Sequence, residues 1–245
     1  MEGKTVDVLV YYARVPSRAA ADSAVFQHLL DEDERRRSER FHFERDRLIF
    51  SAAHALLRAA LIARLGDWQG GFRVDEFGKP ELEPPAATPP LRFNLTHTRG
   101  LVACALVDGC DIGIDAEQMD PSRPLLDLAE HYFAGAEIAQ LRATEGAARA
   151  NSFYRFWTLK EAIIKAIGEG LSLPLKRFAF TLAPLSLTIE GGDAREWHVE
   201  ECRAVPGHAM AIAVRRLSAA SVAVSWREAR FVRDPAERVR VALDD

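Results

Sequence analysis

Two carboxylates stand two residues apart in the stretch Gly113-Ile114-Asp115-Ala116-Glu117. In an extended strand, Asp115 and Glu117 leave the same face, about 7 Å apart along the backbone. Flexible side chains can close that gap on one ion, and carboxylate oxygens suit hard cations such as Mg²⁺ or Mn²⁺. The same spacing also describes a solvated strand edge. A third acid, Glu161, lies four residues before Lys165, which places both on one helix face. Such a pair is also an ordinary surface contact worth about 0.2–0.5 kcal/mol. Trp157 one turn earlier, with Phe153, Phe156, Ile163, Ile164 and Ile167, makes this helix too apolar to lie open to water. With Lys160 it suits a metal-binding carboxylate beside a phosphate-binding ammonium. Thr96-His97-Thr98 offers hydroxyls and an imidazole to phosphate oxygens. Gly78-Lys79-Pro80 offers a sharp turn and a cation, but lacks the spacing of a Walker A loop.

These groups need elements to hold them. Apolar residues recur at helical spacing from Glu44 to Leu65, with Gly66 as the stop. Residues 72 to 82 read as a short broken strand, and the Pro/Ala-rich run at 83 to 90 as an extended spacer. Residues 92 to 107 read as two strands with His97 in the turn between them, and 111 to 117 as a further strand. A helix over 152 to 168, strand and turn over 178 to 189, and a strand over 207 to 214 then repeat the plan of the first half. The expected fold is α+β: two similar α/β halves, a duplicated unit with the active site in the cleft between them. The boundaries are 1–112 for the N-terminal half, 113–225 for the C-terminal half, and 226–245 for a C-terminal tail.

The 245 residues are 48% hydrophobic and 28% charged, the balance of a globular protein. A net charge of -4 argues against a generic nucleic-acid binder. The Arg-rich stretch 31 to 47 carries matching acids and reads as a salt-bridged helix face. The N-terminus reads as a strand rather than a signal peptide, and no apolar run reaches bilayer-spanning length. Three cysteines without C-x-x-C spacing suit a reducing compartment, hence the cytoplasm.

The ordered blocks RFHFERDR, FGKPEL, FNLTHT, GIDAE, HYFAGAE and FWTLKEAIIKAIGEGLSLPL resemble the 4'-phosphopantetheinyl transferases of the large, Sfp-like monomeric group. The pairing of GIDAE with WTLKEAIIKAIGEG carries most of the specificity. The resemblance implies an enzyme that transfers the phosphopantetheine arm of coenzyme A to a serine of an acyl- or peptidyl-carrier protein. It implies Asp115, Glu117 and Glu161 as Mg²⁺ ligands, with Glu161 or Glu137 as proton acceptor and Lys165 as a catalytic cation on the diphosphate. For coenzyme A it implies Lys160, Lys165, Thr96 and His97 on the phosphates, Arg37 and Lys79 at the nucleotide end, and Arg47 at the 3′-phosphate. Thr-His-Thr stands where the group has Ser-His-Ser, and Ala116 where a larger aliphatic is common; neither change removes a charge. The expected partners are coenzyme A and the carrier, with no nucleic acid or membrane, and the expected state is a monomer. From the residues alone, two rivals stand beside transfer: metal-dependent hydrolysis of a phosphodiester or nucleotide, and a non-catalytic coenzyme A or carrier-binding module.

Overall fold

A computed structural model describes residues 5–15, 23–66, 68–83, 89–170, 173–216, 220–233 and 238–244. The first half contains β1 (Thr5–Arg14), α1 (Glu32–Glu39), α2 (Glu44–Leu65), the hairpin β2 (Phe72–Val74) and β3 (Pro80–Leu82), then β4 (Leu91–Thr98) and β5 (Leu101–Asp108). The second contains β6 (Asp111–Gln118), α3 (Leu125–Tyr132), α4 (Gly135–Arg142), α5 (Gly146–Ile167), the hairpin β7 (Phe178–Leu182) and β8 (Leu185–Ile189), then β9 (Trp197–Cys202) and β10 (His208–Arg215). Strands β11 (Ser221–Arg233) and β12 (Val239–Leu243) complete the chain.

The duplication is visible in the strand order. One sheet runs β12-β11-β1-β5-β4 and the other β6-β10-β9. Within these, β1-β5-β4 and β6-β10-β9 are both wholly antiparallel, and in each a helix and a hairpin separate the first strand from the other two along the chain. The segment after 225 is not an appended tail. It belongs to β11, which pairs parallel with β1, and to β12, which pairs with β11. Few positions of β11 are fully buried, because that sheet margin is only partly covered.

Four layers result, in the order helix, sheet, sheet, helix. Val8, Val10 and Tyr12 of β1 and the odd positions of β5 pack against Ile112, Ile114 and Ala116 of β6 and Met210, Ile212 and Val214 of β10. The opposite face of the first sheet, with Tyr11, Ala13, Val102, Cys104 and Leu106, receives Ala52, Leu56 and Ala60 of α2. The opposite face of the second, with Ala209, Ala211 and Ala213, receives Phe156, Leu159 and Ile163 of α5. Period-two alternation therefore sorts each strand between two cores.

Helix α2 has the expected bounds. By length and mean hydropathy alone it could cross a bilayer, which corrects the sequence expectation, but 56% of its most apolar window is buried against the first sheet. Helix α5 starts six residues earlier than periodicity suggests. In the 31 to 47 stretch, α1 is closed by a capping box in which Glu34 N donates to Asp31 Oδ1 at 2.8 Å and Asp31 N to Glu34 Oε2 at 2.9 Å. His97 lies within β4, since the turn to β5 falls at Arg99-Gly100. Most of the Pro/Ala spacer, 84 to 88, lies outside the described residues.

Candidate active site

Helix α5 lies on β6 so closely that a Cβ on Gly113 would stand 2.0 Å from the Ala162 carbonyl oxygen and 2.5 Å from the Ala166 nitrogen. Only glycine permits that approach. It brings Glu161 and Lys165 over the two acids of β6. Lys165 Nζ donates to Asp115 Oδ1 at 2.6 Å, to the Ile114 carbonyl at 3.2 Å and to Thr96 Oγ1 at 3.3 Å. Asp115 is buried, and its second oxygen, Oδ2, has no hydrogen-bond partner. Glu117 and Glu161 are half-buried. Burial and then the Asp115 charge push the Glu117 carboxyl up to about 7 and raise that of Glu161, with the Lys165 ammonium opposing both. Burial also raises Asp115 against the pull of Lys165.

As placed, the three acids do not close on one point. Among the described residues no group of three His, Cys, Asp or Glu side chains is close enough to hold a metal ion. Three carboxylates already converged on one ion is thus corrected to three within one electrostatic neighbourhood, with an ammonium on the most buried. The set nevertheless fits a hard divalent cation. It is all oxygen, one buried carboxylate oxygen is orphaned, and its two neighbours are raised by burial and then by the Asp115 charge, both of which a cation would offset.

Thr96 is buried, and its hydroxyl faces inward. It donates to Asp115 Oδ1 at 3.3 Å and accepts from Ala116 N at 3.2 Å and from Lys165. One donor and two acceptor sites are then used, so the expected phosphate contact of this hydroxyl is corrected to a contact with the acids. His97, one residue on, faces the other way and is exposed. It lines a cavity of about 410 Å³ with Phe41, Arg45, Thr98 and Arg99 over a floor of Leu48 and Ile49. Arg45 and Arg99 were missed in the sequence, where nothing distinguishes them from neighbouring arginines.

The other expected site residues lie elsewhere. Glu137 and Lys160 are both fully buried and paired at 2.8 Å. Glu137 accepts from Ala134 N at 2.8 Å and Phe180 N at 2.9 Å, while Lys160 donates to the Leu175 carbonyl at 2.9 Å and to that of Phe178. The pair ties α4, α5 and β7 together, which corrects both the catalytic role of Glu137 and the phosphate role of Lys160. Adjacent helix positions do not share a face, so Lys160 looks away from Glu161. Lys79 donates to the Ala166 carbonyl at 2.8 Å and the Ile112 carbonyl at 3.3 Å, fastening the first hairpin to the end of α5 instead of presenting its ammonium to a ligand. Arg37 is exposed and lies 5.4 Å from the Phe50 ring centroid. Arg47 is held by Glu44 at 2.7 Å and the Phe41 carbonyl at 2.8 Å. Neither arginine lines the cavity beside His97.

Comparison with known proteins agrees with this geometry. Residues 111–213, which span β6 to β10, match the 4'-phosphopantetheinyl transferase superfamily. The chain is 36% identical over 157 residues to the 4'-phosphopantetheinyl transferase HetI of Nostoc sp., covering 63% of this chain and 66% of that protein. It is 35% identical over 152 residues to a 4'-phosphopantetheinyl transferase of Bacillus subtilis, covering 61% and 65%. These two matches thus span just under two thirds of each relative's length. A putative 4'-phosphopantetheinyl transferase of Synechocystis sp. is 33% identical over 178 residues, 71% of this chain and 72% of that one.

Proposed function

The chain belongs to the 4'-phosphopantetheinyl transferase superfamily, and from that premise we propose that it moves the phosphopantetheine arm of coenzyme A onto a serine of an apo acyl- or peptidyl-carrier protein. One observation carries the reading: Asp115, Glu117, Glu161 and Lys165 are drawn into one charged cluster at the seam between the two halves.

The serine oxygen forms a bond to the β-phosphorus, and the bond from that phosphorus to the bridging diphosphate oxygen breaks. Adenosine 3′,5′-bisphosphate leaves. Such a displacement needs alignment and charge neutralisation more than covalent help. Lys165, partly exposed beside Asp115, holds the leaving phosphate oxygen. Glu161, half-buried and with its carboxyl raised above the ordinary value by burial and the Asp115 charge, accepts the serine proton. Asp115, Glu117 and Glu161 would hold Mg²⁺ or Mn²⁺, which would supply charge neutralisation to the diphosphate. The cavity beside His97, with Arg45 and Arg99 on its rim and apolar residues beneath, takes the nucleotide end. A duplicated chain forms this seam without a second copy, so we take the working unit as a monomer. Three cysteines without C-x-x-C spacing support our reading of a cytoplasmic setting.

Mass spectrometry of apo-carriers after incubation with the protein, coenzyme A and Mg²⁺ tests the proposal. The expected result is a carrier heavier by one arm, with stoichiometric adenosine 3′,5′-bisphosphate. Release of free phosphopantetheine without loading of any carrier would instead mean hydrolysis.

A further inference from the structure

Among the described residues, the outer edge of β6 meets no backbone ladder. Three of its amides, two residues apart, donate instead to three β4 side chains, also two apart. Ile114 N meets Asn94 Oδ1 at 2.9 Å, Ala116 N meets Thr96 Oγ1 at 3.2 Å, and Gln118 N meets Thr98 Oγ1 at 3.1 Å. Ile114 and Ala116 are buried, where an unmet amide costs about 1–3 kcal/mol. A neighbouring strand would have satisfied these amides equally well. What the side chains add is a hydroxyl proton at each threonine. Thr96 gives its proton to Asp115 at 3.3 Å, and Thr98 gives its proton to Glu117 Oε2 at 3.4 Å.

The two acids differ in how firmly they are held. Asp115 is buried and also bound by Lys165. Glu117 is half-open, and among the described residues the hydrogen bond it makes is the one from Thr98. The Thr98 hydroxyl is itself oriented by the Gln118 amide, one residue beyond Glu117 in the same strand. Amide, hydroxyl and carboxylate thus form a short chain that closes back on β6.

We propose that Thr98 is a positioning residue whose hydroxyl, fixed by the Gln118 amide, aims the Glu117 carboxylate at the divalent cation of the acid cluster. The proposal deepens the cation reading above and rests on it. Partners that orient metal-binding carboxylates typically change metal affinity by about 10- to 100-fold when removed.

The test is Mn²⁺ binding to the full-length protein, followed by electron paramagnetic resonance, for wild type, Thr98→Val and Thr98→Ser, with transfer kinetics over a range of Mn²⁺ concentrations. Valine keeps the shape and removes both hydrogen bonds. It is expected to weaken Mn²⁺ by about tenfold or more. Its half-saturating Mn²⁺ for transfer, measured at saturating coenzyme A, should rise by the same factor, and serine should restore both the affinity and the half-saturation. A lower Tm with unchanged Mn²⁺ affinity would reduce Thr98 to a structural role and overturn the proposal. If Thr98→Val does not fold, Thr98→Cys replaces it, and unchanged affinity there overturns the proposal equally. Wild-type protein that binds no Mn²⁺ would overturn the cation reading itself, whereas tight binding by wild type and valine variant alike would overturn only the part assigned to Thr98.

Discussion

Strands β1 and β6 hold equivalent places in the two halves. Each pairs antiparallel with an eight-residue strand that follows a glycine of positive φ, β5 after Gly100 and β10 after Gly207. The register then matches Leu9, Tyr11 and Ala13 in the first half with Gly113, Asp115 and Glu117 in the second. The first trio faces α2 in an apolar core, while in the second a glycine admits α5 and two acids meet its Glu161 and Lys165. The outer edges differ as well. β1 is paired along its length by β11, whereas β6 is closed by the polar side chains of β4. One scaffold carries an apolar core in one copy and a charged cluster in the other. The difference teaches that buried acids are tolerated where a cation and hydroxyl donors arrive with them.

The comparison breaks most sharply by exchanging its two ends. Asp115→Ala is expected to lower carrier loading by roughly a thousandfold or more while the circular dichroism spectrum is kept. Tyr11→Phe, at the matching position, should leave the rate near wild type. Near-normal loading by folded Asp115→Ala would remove the acid cluster from the chemistry.

Next in size is Glu137→Gln, which leaves a lone ammonium at Lys160 in a fully buried site. Urea denaturation should show a loss of about 3–5 kcal/mol, while the rate per folded molecule stays near wild type. A rate that falls with unchanged stability would return Glu137 to the reaction.

Gly113→Ala sharpens the comparison at the helix contact. The added methyl meets backbone atoms of α5, and overpacking of this kind costs about 1–3 kcal/mol. Thermal melting should show that loss, and transfer should fall with it because α5 carries Glu161 and Lys165.

The smallest effect is in pH. The Glu117 carboxyl is pushed from 4.5 to about 7, so the folded protein holds more of a proton than the unfolded chain between those values. Stability should therefore fall as pH rises through that window. Glu117→Gln should flatten this slope in melting curves, and excess Mg²⁺ should do so in the wild type by competing with the proton. An equal slope in the glutamine variant would place the titration elsewhere.

Much of the scaffold was legible. Helix α2 was bounded by periodicity and Gly66, and β6 by alternation in DIGIDAE. The echo between 97–107 and 207–214 pointed to β5 and β10. The second-half acids and Lys165 were legible too, because spacing alone puts each on one face of its own element. What sequence could not supply was direction between elements. Thr96 and His97 looked like one phosphate-binding unit, yet strand alternation sends the hydroxyl to Asp115 and the imidazole to the neighbouring cavity. Lys160 is the immediate neighbour of Glu161 in sequence, but a rotation of one helix residue turns it into α4 and β7. Strand β11 escaped notice because its partner β1 lies some two hundred residues away, and β12 joins the sheet only through β11. Gly113 was quoted within its motif, but its role depends on a helix 49 residues later.

The central claim is that the acids of β6 and α5 serve one divalent cation at the seam between the halves. Anomalous diffraction from crystals soaked with Mn²⁺ tests it most directly. The account predicts a single strong peak at that seam, contacted by carboxylate oxygens of Asp115, Glu117 and Glu161, with Lys165 displaced from Asp115. A peak elsewhere on the protein, or one touched by Asp115 while Glu117 and Glu161 point away, would contradict it.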